Sequence, residues 1–285
     1  MSYVRTIIAS IRVGWSRDFG WTNPFLGIAL KTVAPLASTM TAATILYIGL
    51  TRGNVAVTSS QLGSSLAYIL VGATLYAHVA AYSWVPTMAI AEGKWTFVFP
   101  QVYVSPRSSP PYLAGRCLAA FCSSTVTSMV SLVVAVGVTS ILFGATMPFV
   151  ITPLSATLLT LSLIVNIFAS MGLGFLLGAY AIFASKFEWA LPTYVSGLLM
   201  VFSGALFPVT LLPHPFSDVA NVLPFTEFIR AAREVLLPNG TLSSYGAYLA
   251  LSFVGGIVLL VLGLLAFKYA ERRARSLGVL DRKVV

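Results

Sequence analysis

Between Arg116 and Lys186 the chain carries no charged residue. A hydrocarbon core about 30 Å thick takes about 20 apolar residues as one helix, so this stretch is too long for a single crossing and natural for two. Turn and breaker residues cluster from Gly144-Ala145-Thr146-Met147-Pro148 to Pro153, which divides it into spans at about 117–143 and 154–184. The second is overlong and is expected to tilt or to extend past the bilayer. Composition agrees. The chain is 58% hydrophobic and 9% charged, with mean hydropathy +0.90, whereas a soluble domain is about 25% charged. The expected class is an all-α polytopic membrane protein.

The same reading gives four more spans, at about 31–50, 62–84, 189–207 and 245–269, six in all. Residues 2–20 are too basic to cross. Val4, Ile8, Ile11, Trp15 and Phe19 recur at helical spacing with Arg5, Arg12 and Arg17 interleaved, the pattern of a helix lying in the headgroup layer rather than of a disordered tail. Residues 85–116 form the longest hydrophilic connection, and residues 270–285 form a basic tail. No leader peptide is expected, because the first twenty residues are polar and basic with no cleavage site after an apolar core. Six spans put both termini on one side. That side then holds fourteen of the 17 Lys and Arg residues, against Arg52, Arg230 and Arg233 on the other. The positive-inside rule makes it cytoplasmic and accounts for the net charge of +9 without nucleic acid. The 85–116 loop is then inside, and the 204–240 segment outside.

That outer segment, Gly204 to Gly240, is mostly apolar yet contains Pro208, Pro213, Pro215 and Pro224. Each proline removes a donor and disfavours helix before it, so no unbroken helix crosses here. A pair of short helices is expected, dipping into the membrane or lying on it. The second would start at Thr226 as N-cap, with Glu227 in its first turn, and stop at Pro238-Asn239-Gly240. Glu227, Arg230, Arg233 and Glu234 fall in one sector, and Phe228, Ala232, Val235 and Leu236 in the other, which describes an amphipathic interfacial helix.

Catalytic signatures are missing from the sequence. It has no GxxxxGK[ST] loop, HExxH, GxSxG or paired-carboxylate constellation. Cys117 and Cys122 fit no zinc or redox spacing and read as buried free thiols. No acid falls in the middle of a span. His78, near Tyr76 and Tyr82, and Asn166 are the midplane candidates for a proton or ion site. Each has a plainer reading, as a hydrogen bond between helices. Asn166 lies on the stripe Ser162, Asn166, Ser170, Gly174, Gly178, and span three carries the ridge Ala119, Ser123, Thr127, Ser131, Ala135, Thr139. Small residues at every fourth position let helices approach closely; a hydroxyl-lined path is the alternative for the ridge. In the 85–116 loop, Trp95, Phe97, Phe99 and Tyr103 indicate a short helix with an apolar face, offered to the bilayer surface or to a soluble partner.

Taken together, several features resemble the type-2 ABC exporter permeases: the six spans, the amphipathic N-terminal helix, and the loop with Glu92 that closes on Ser105-Pro106 and Gly115-Arg116. The outer segment FSGALFPVTLLP…VLPFTEFIRAAREVLL and the tail Ala270-Glu271-Arg272-Arg273-Ala274-Arg275 with Gly278 and Leu280 are also similar. The resemblance covers nearly the whole chain. Its most specific parts are Gly204-Ala205-Leu206-Phe207-Pro208, Leu212-Pro213, Leu223-Pro224 and Arg233. Phe99-Pro100-Gln101-Val102 stands where members often carry a Gly-Thr-Leu-Glu-like step.

The resemblance implies a prokaryotic plasma-membrane permease working as a homodimer, or as a heterodimer with a similar permease. Separate cytoplasmic ABC ATPase subunits would bind ATP and Mg, and the permease itself would hold no cofactor. Glu92, Lys94, Arg107 and Arg116 would couple to the ATPase. Gly204, Pro208, Pro213, Pro224 and Arg233 would form the extracellular gate, and Asn166, Gly174 and Gly178 would pack helices. Substrates would be hydrophobic or amphipathic: a drug, a lipid or a glycan. The alternatives are an ion-coupled secondary transporter or channel and a membrane-embedded transferase using His214, Asp218, Glu227 and Glu234.

Overall fold

A computed structural model describes residues 3–20, 23–52, 58–96, 109–184 and 189–278. Among them the chain forms nine α-helices and no strand. They are α1 (Tyr3–Phe19), α2 (Pro24–Arg52), α3 (Ser59–Trp95), α4 (Pro110–Phe143), α5 (Pro153–Phe183), α6 (Ala190–Phe202), α7 (Phe216–Val222), α8 (Pro224–Leu236) and α9 (Leu242–Leu277), with a 3-10 turn at Val209–Leu211. Five of them, α2, α3, α4, α5 and α9, are long and apolar enough to cross a membrane.

The expected break in the uncharged stretch is present. Gly144 closes α4 in the left-handed conformation at φ 60°, donating its N–H to Ser140. Thr152 then caps α5, with Ser155 reciprocating and Pro153 in the first turn. The expected spans prove shorter than the helices. Helix α3 runs on to Trp95 and α4 begins at Pro110, so Glu92 and Lys94 lie on α3 and Arg116 on α4, not in a loop over 85–116. The tail likewise stays helical to Leu277. The reason is that a helix of good formers continues into water until a breaker stops it; hydropathy marks only the part inside lipid. The span expected over 189–207 is an exception in the other direction. Helix α6 has 13 residues, or about 20 Å at 1.5 Å per residue, shorter than the hydrocarbon core.

Helix directions follow from which residues meet. Tyr245 on α9 bonds Leu158 and Ser162 on α5, and Phe267 stacks edge-on against Phe175. Both numbers rise together, so α5 and α9 are parallel. The chain between them must therefore return along the bundle. One end of the bundle gathers the end of α2, the start of α3, the α4–α5 connection and residues 204–241; the opposite end gathers α1, Trp95, Ser109, Ala184 and Leu277. Glycines set the α5–α9 spacing. A Cβ on Gly172 would strike the Leu259–Leu260 backbone, and one on Gly263 would overlap the Gly172 carbonyl. The stripe Ser162, Asn166, Ser170, Gly174, Gly178 and the α4 ridge from Ala119 to Thr139 are buried, as their spacing predicts. A Cβ on Gly174 would press on Cys117 and Pro86, and one on Gly178 on Leu113 and Ile90, so this face of α5 meets α3 and α4. Cys117 is buried, but Cys122 is exposed, correcting the expectation of two buried thiols: five residues is 500° of helix, which turns Cys122 off the Cys117 face.

Helix α1 is formed as expected over the N-terminal stretch. It packs through Ser10 and Gly14 onto Gly115 and Ala119 of α4. Val4, Ile8 and Trp15 stay exposed, and only Phe19 of the apolar series is buried.

Candidate functional site

The outer segment folds into the 3-10 turn and two short helices, α7 and α8, and its centre is Arg233. This side chain is 6% exposed and enters the bundle end rather than the solvent. Its Nη1 donates to the Gly204 carbonyl at 2.8 Å and its Nη2 to Ala205 at 2.7 Å; Nε and Nη2 also donate to Tyr68 at 3.3 and 3.2 Å. The guanidinium lies over the Tyr68 ring, 3.4 Å from its centroid. One planar cation thus ties α8, the turn after α6, and α3 together, a geometry a lysine cannot copy. Two glycines make room. Gly204 sits at φ 66°, a left-handed conformation that turns its carbonyl to Arg233. At Gly72 a Cβ would overlap both the Ala205 carbonyl and Arg233 Nη2.

This arrangement corrects three expectations. Arg233, expected on a wet polar sector with Glu227, Arg230 and Glu234, pairs with no carboxylate among the described residues; the carbonyls of Gly204 and Ala205 after α6 and of Tyr68 inside α3 hold it. Helix α8 is not an interfacial helix with one wet face, because eleven of its residues, from Pro224 to Leu236, are buried. The amphipathic pattern is real, but its polar sector is received by α3, Asn221 and Tyr248 instead of water. Thr226 is not the N-cap either: the helix starts at Pro224, where the ring's fixed φ suits the first turn, and the Thr226 hydroxyl donates to Phe202 at 2.9 Å. Burial raises the Glu227 pKa above 4.5, opposed by Arg230, whose Nη1 donates to Glu227 Oε1 at 2.7 Å. The other Glu227 oxygen is buried and unpartnered. Burial also lowers the Arg233 pKa to about 10, which leaves it charged at neutral pH.

The remaining residues of this segment are structural joints. Pro208 precedes the 3-10 turn, the Pro213 carbonyl accepts from Phe216 at 2.9 Å, and the Pro224 carbonyl accepts from Ser252 on α9 at 3.0 Å. Val150 donates to Leu236 at 2.9 Å, stitching the end of α8 to the α4–α5 connection. Of the acids and histidine set aside for a transferase, His214 and Asp218 bond each other at 2.9 Å on the surface, and Glu234 accepts from Thr241 at 2.9 Å. They do not converge with Glu227 on one pocket.

At the opposite end, the expected coupling residues are turned inward. Glu92 pairs with Arg17 of α1. Lys94 donates to the Ala181 and Ala184 carbonyls at 2.6 and 2.9 Å, capping the last turn of α5. Arg116 is 6% exposed, beside Gly14 of α1. Arg107 and most of the loop aromatics, Phe97, Phe99 and Tyr103, lie outside the described residues; Trp95 ends α3 and is exposed. In the bundle, His78 Nδ1 bonds Ser124 Oγ of α4 at 2.9 Å, the bond between helices that was the plainer expectation. In the same bundle His78 Nε2 and both amide atoms of Asn166 are buried without partners among the described residues. Sequence patterning marks Asn166 as a hydrogen bond between helices, and the structure gives it no protein partner. Among the described residues no group of His, Cys, Asp and Glu could hold a metal ion.

No protein-family model matches this chain, and no curated protein matches it.

Proposed function

We propose that the protein is the membrane-spanning permease subunit of an ATP-driven exporter of the type-2 ABC class. It would move a hydrophobic or amphipathic substrate outward, powered by separate cytoplasmic ATPase subunits. The observation that carries this reading is the return path between the parallel helices α5 and α9. A short apolar helix, a turn and two short helices make it, locked to the bundle by Arg233. Such a segment lets six passages through the bilayer end in a helical plug at one mouth, with both termini at the other. The charge bias of the sequence makes that other mouth cytoplasmic. The plug is the element an exit gate requires, and a separate ATPase would supply the GxxxxGK[ST] loop that this sequence does not carry.

The test is reconstitution in vesicles with the P-loop ATPase subunit that co-purifies with it. ATP hydrolysis stimulated by a lipid or drug panel, and ATP-dependent flipping or export, are the expected results. Transport that continues without ATP and follows an imposed proton or sodium gradient would overturn the reading. One observation favours that second reading, an ion-coupled transporter: the unpartnered polar atoms of His78 and Asn166 inside the bundle, among the described residues.

A further inference from the structure

Where α1 meets the end of α3 and the start of α4, the fold forms a half-open cavity of about 380 Å³. That is within the range of about 300–1,000 Å³ typical of ligand sites. Its lining brings together Arg5, Arg17 and Arg116, with Thr6 and Tyr112, against a single carboxylate, Glu92. Glu92 is already engaged by Arg17. Arg116 is the telling member. It is 6% exposed, its Nε is buried with no hydrogen-bond partner, and no carboxylate pairs with it among the described residues. A buried charge is ordinarily paired, and guanidinium cannot escape by losing its proton. The two arginines also work against each other: Arg17 is held below its usual pKa by burial and then by the positive charge of Arg116. Residues 97–108, which join α3 to α4, contain no Asp or Glu that could neutralise them. Among the described residues the lining is therefore short of negative charge, rich in planar donors and supplied with hydroxyls.

We propose that this cavity is a binding site for a phosphate group, held by Arg116 and Arg5 with Arg17 completing the shell. Arginine is the side chain whose fork fits phosphate oxygens two at a time. A phosphodiester or phosphomonoester brings the one or two negative charges that three arginines and one glutamate leave unmatched. The position favours a lipid as its source. Helix α1 turns Val4, Ile8 and Trp15 outward, and Trp95 at the end of α3 is exposed beside it. Apolar residues and tryptophans at this level mark the headgroup layer. A bound anion would tighten the hold of α1 on the bundle beyond its packing on Gly115 and Ala119, independently of whether the protein exports anything.

The test uses the full chain. Thermal unfolding and native mass spectrometry are run after transfer to phosphatidylcholine bilayers with and without phosphatidylglycerol, and separately in neutral detergent with inorganic phosphate against equal chloride. Arg5→Gln, exposed and mild, and Arg116→Gln are compared with the parent; Arg272→Gln, exposed at the same end of the bundle, controls for bulk surface charge. A retained phosphatidylglycerol that stabilises the parent and binds about tenfold more weakly to the Arg5 and Arg116 variants, but not to the Arg272 variant, supports a lipid headgroup. The same pattern with inorganic phosphate alone supports a soluble phosphate. Binding that is absent in both arms, that is unchanged in the Arg5 and Arg116 variants, or that falls equally in the Arg272 variant overturns the proposal.

Discussion

The Arg233 node invites a two-sided test, because it can be broken from α8 or from α3. Arg233→Ala deletes the donors to two buried carbonyls, those of Gly204 and Ala205, and a further donor to the half-buried carbonyl of Tyr68 inside α3. Each orphaned buried acceptor costs about 1–3 kcal/mol. The loss is offset in part because a desolvated charge, already depressed to a pKa of about 10, is also removed. The net expectation is a loss of about 2–4 kcal/mol, two orphaned acceptors less the relieved desolvation. Gly72→Ala attacks the same contact with a methyl group that overlaps the Ala205 carbonyl and Arg233 Nη2, and overpacking of this kind costs about 1–3 kcal/mol. Removing the guanidinium relieves the overlap with Arg233 Nη2 but leaves the one with the Ala205 carbonyl. The double variant should therefore unfold below the Arg233→Ala temperature but by less than the sum of the two shifts, with a coupling of about 0.5–3 kcal/mol between the sites. Scanning fluorimetry of the four proteins in one detergent reads this out, at on the order of 2–4 °C per kcal/mol for a large domain. Arg233→Lys, which keeps the charge but not the fork, should fall between parent and Ala. Strictly additive shifts, or a Gly72→Ala variant as stable as the parent, would refute the shared node.

Glu227→Gln should flatten the pH dependence of stability just above pH 4.5. The raised pKa belongs to the folded state, so the stability this group contributes is complete below the unfolded value and is lost as pH rises through the folded one; an unchanged pH profile of unfolding would remove Glu227 as its source. Gly263→Leu should separate α9 from α5 and cost about 1–3 kcal/mol or prevent folding, while Gly137→Leu, with open space around its Cβ, should be tolerated; equal melting temperatures would place lipid at both faces. In a cysteine-free background, exposed probes at Ser243 and Ser276, near opposite ends of the 36-residue α9, should label from opposite sides of the membrane, Ser276 from the cytoplasm; reversed labelling would overturn the charge-based orientation.

Hydropathy and breakers by themselves determine the long helices, because a backbone in lipid has few ways to satisfy its own groups. The α4–α5 break at Gly144–Pro153, the α1 helix and the buried small-residue stripe were all legible that way, since each depends on neighbours within a few residues. Helix ends were not, because the apolar window marks the membrane and not the next breaker. The side chains that decide the site were the least legible. An arginine on an amphipathic helix reads the same whether its polar face meets water or a set of carbonyls, so the burial of α8 and the bonds of Arg233 to Gly204, Ala205 and Tyr68 came only from tertiary packing. Glu92, Lys94 and Arg116 look like a charged loop in sequence, yet α1 and the end of α5 claim them. Gly72 and Gly172 stand unmarked in apolar runs; a glycine declares a close approach only when the neighbouring backbone is in view. Local periodicity marks the polar and apolar faces of each helix, while which of them is buried, and by what, is a long-range fact that no window of sequence contains.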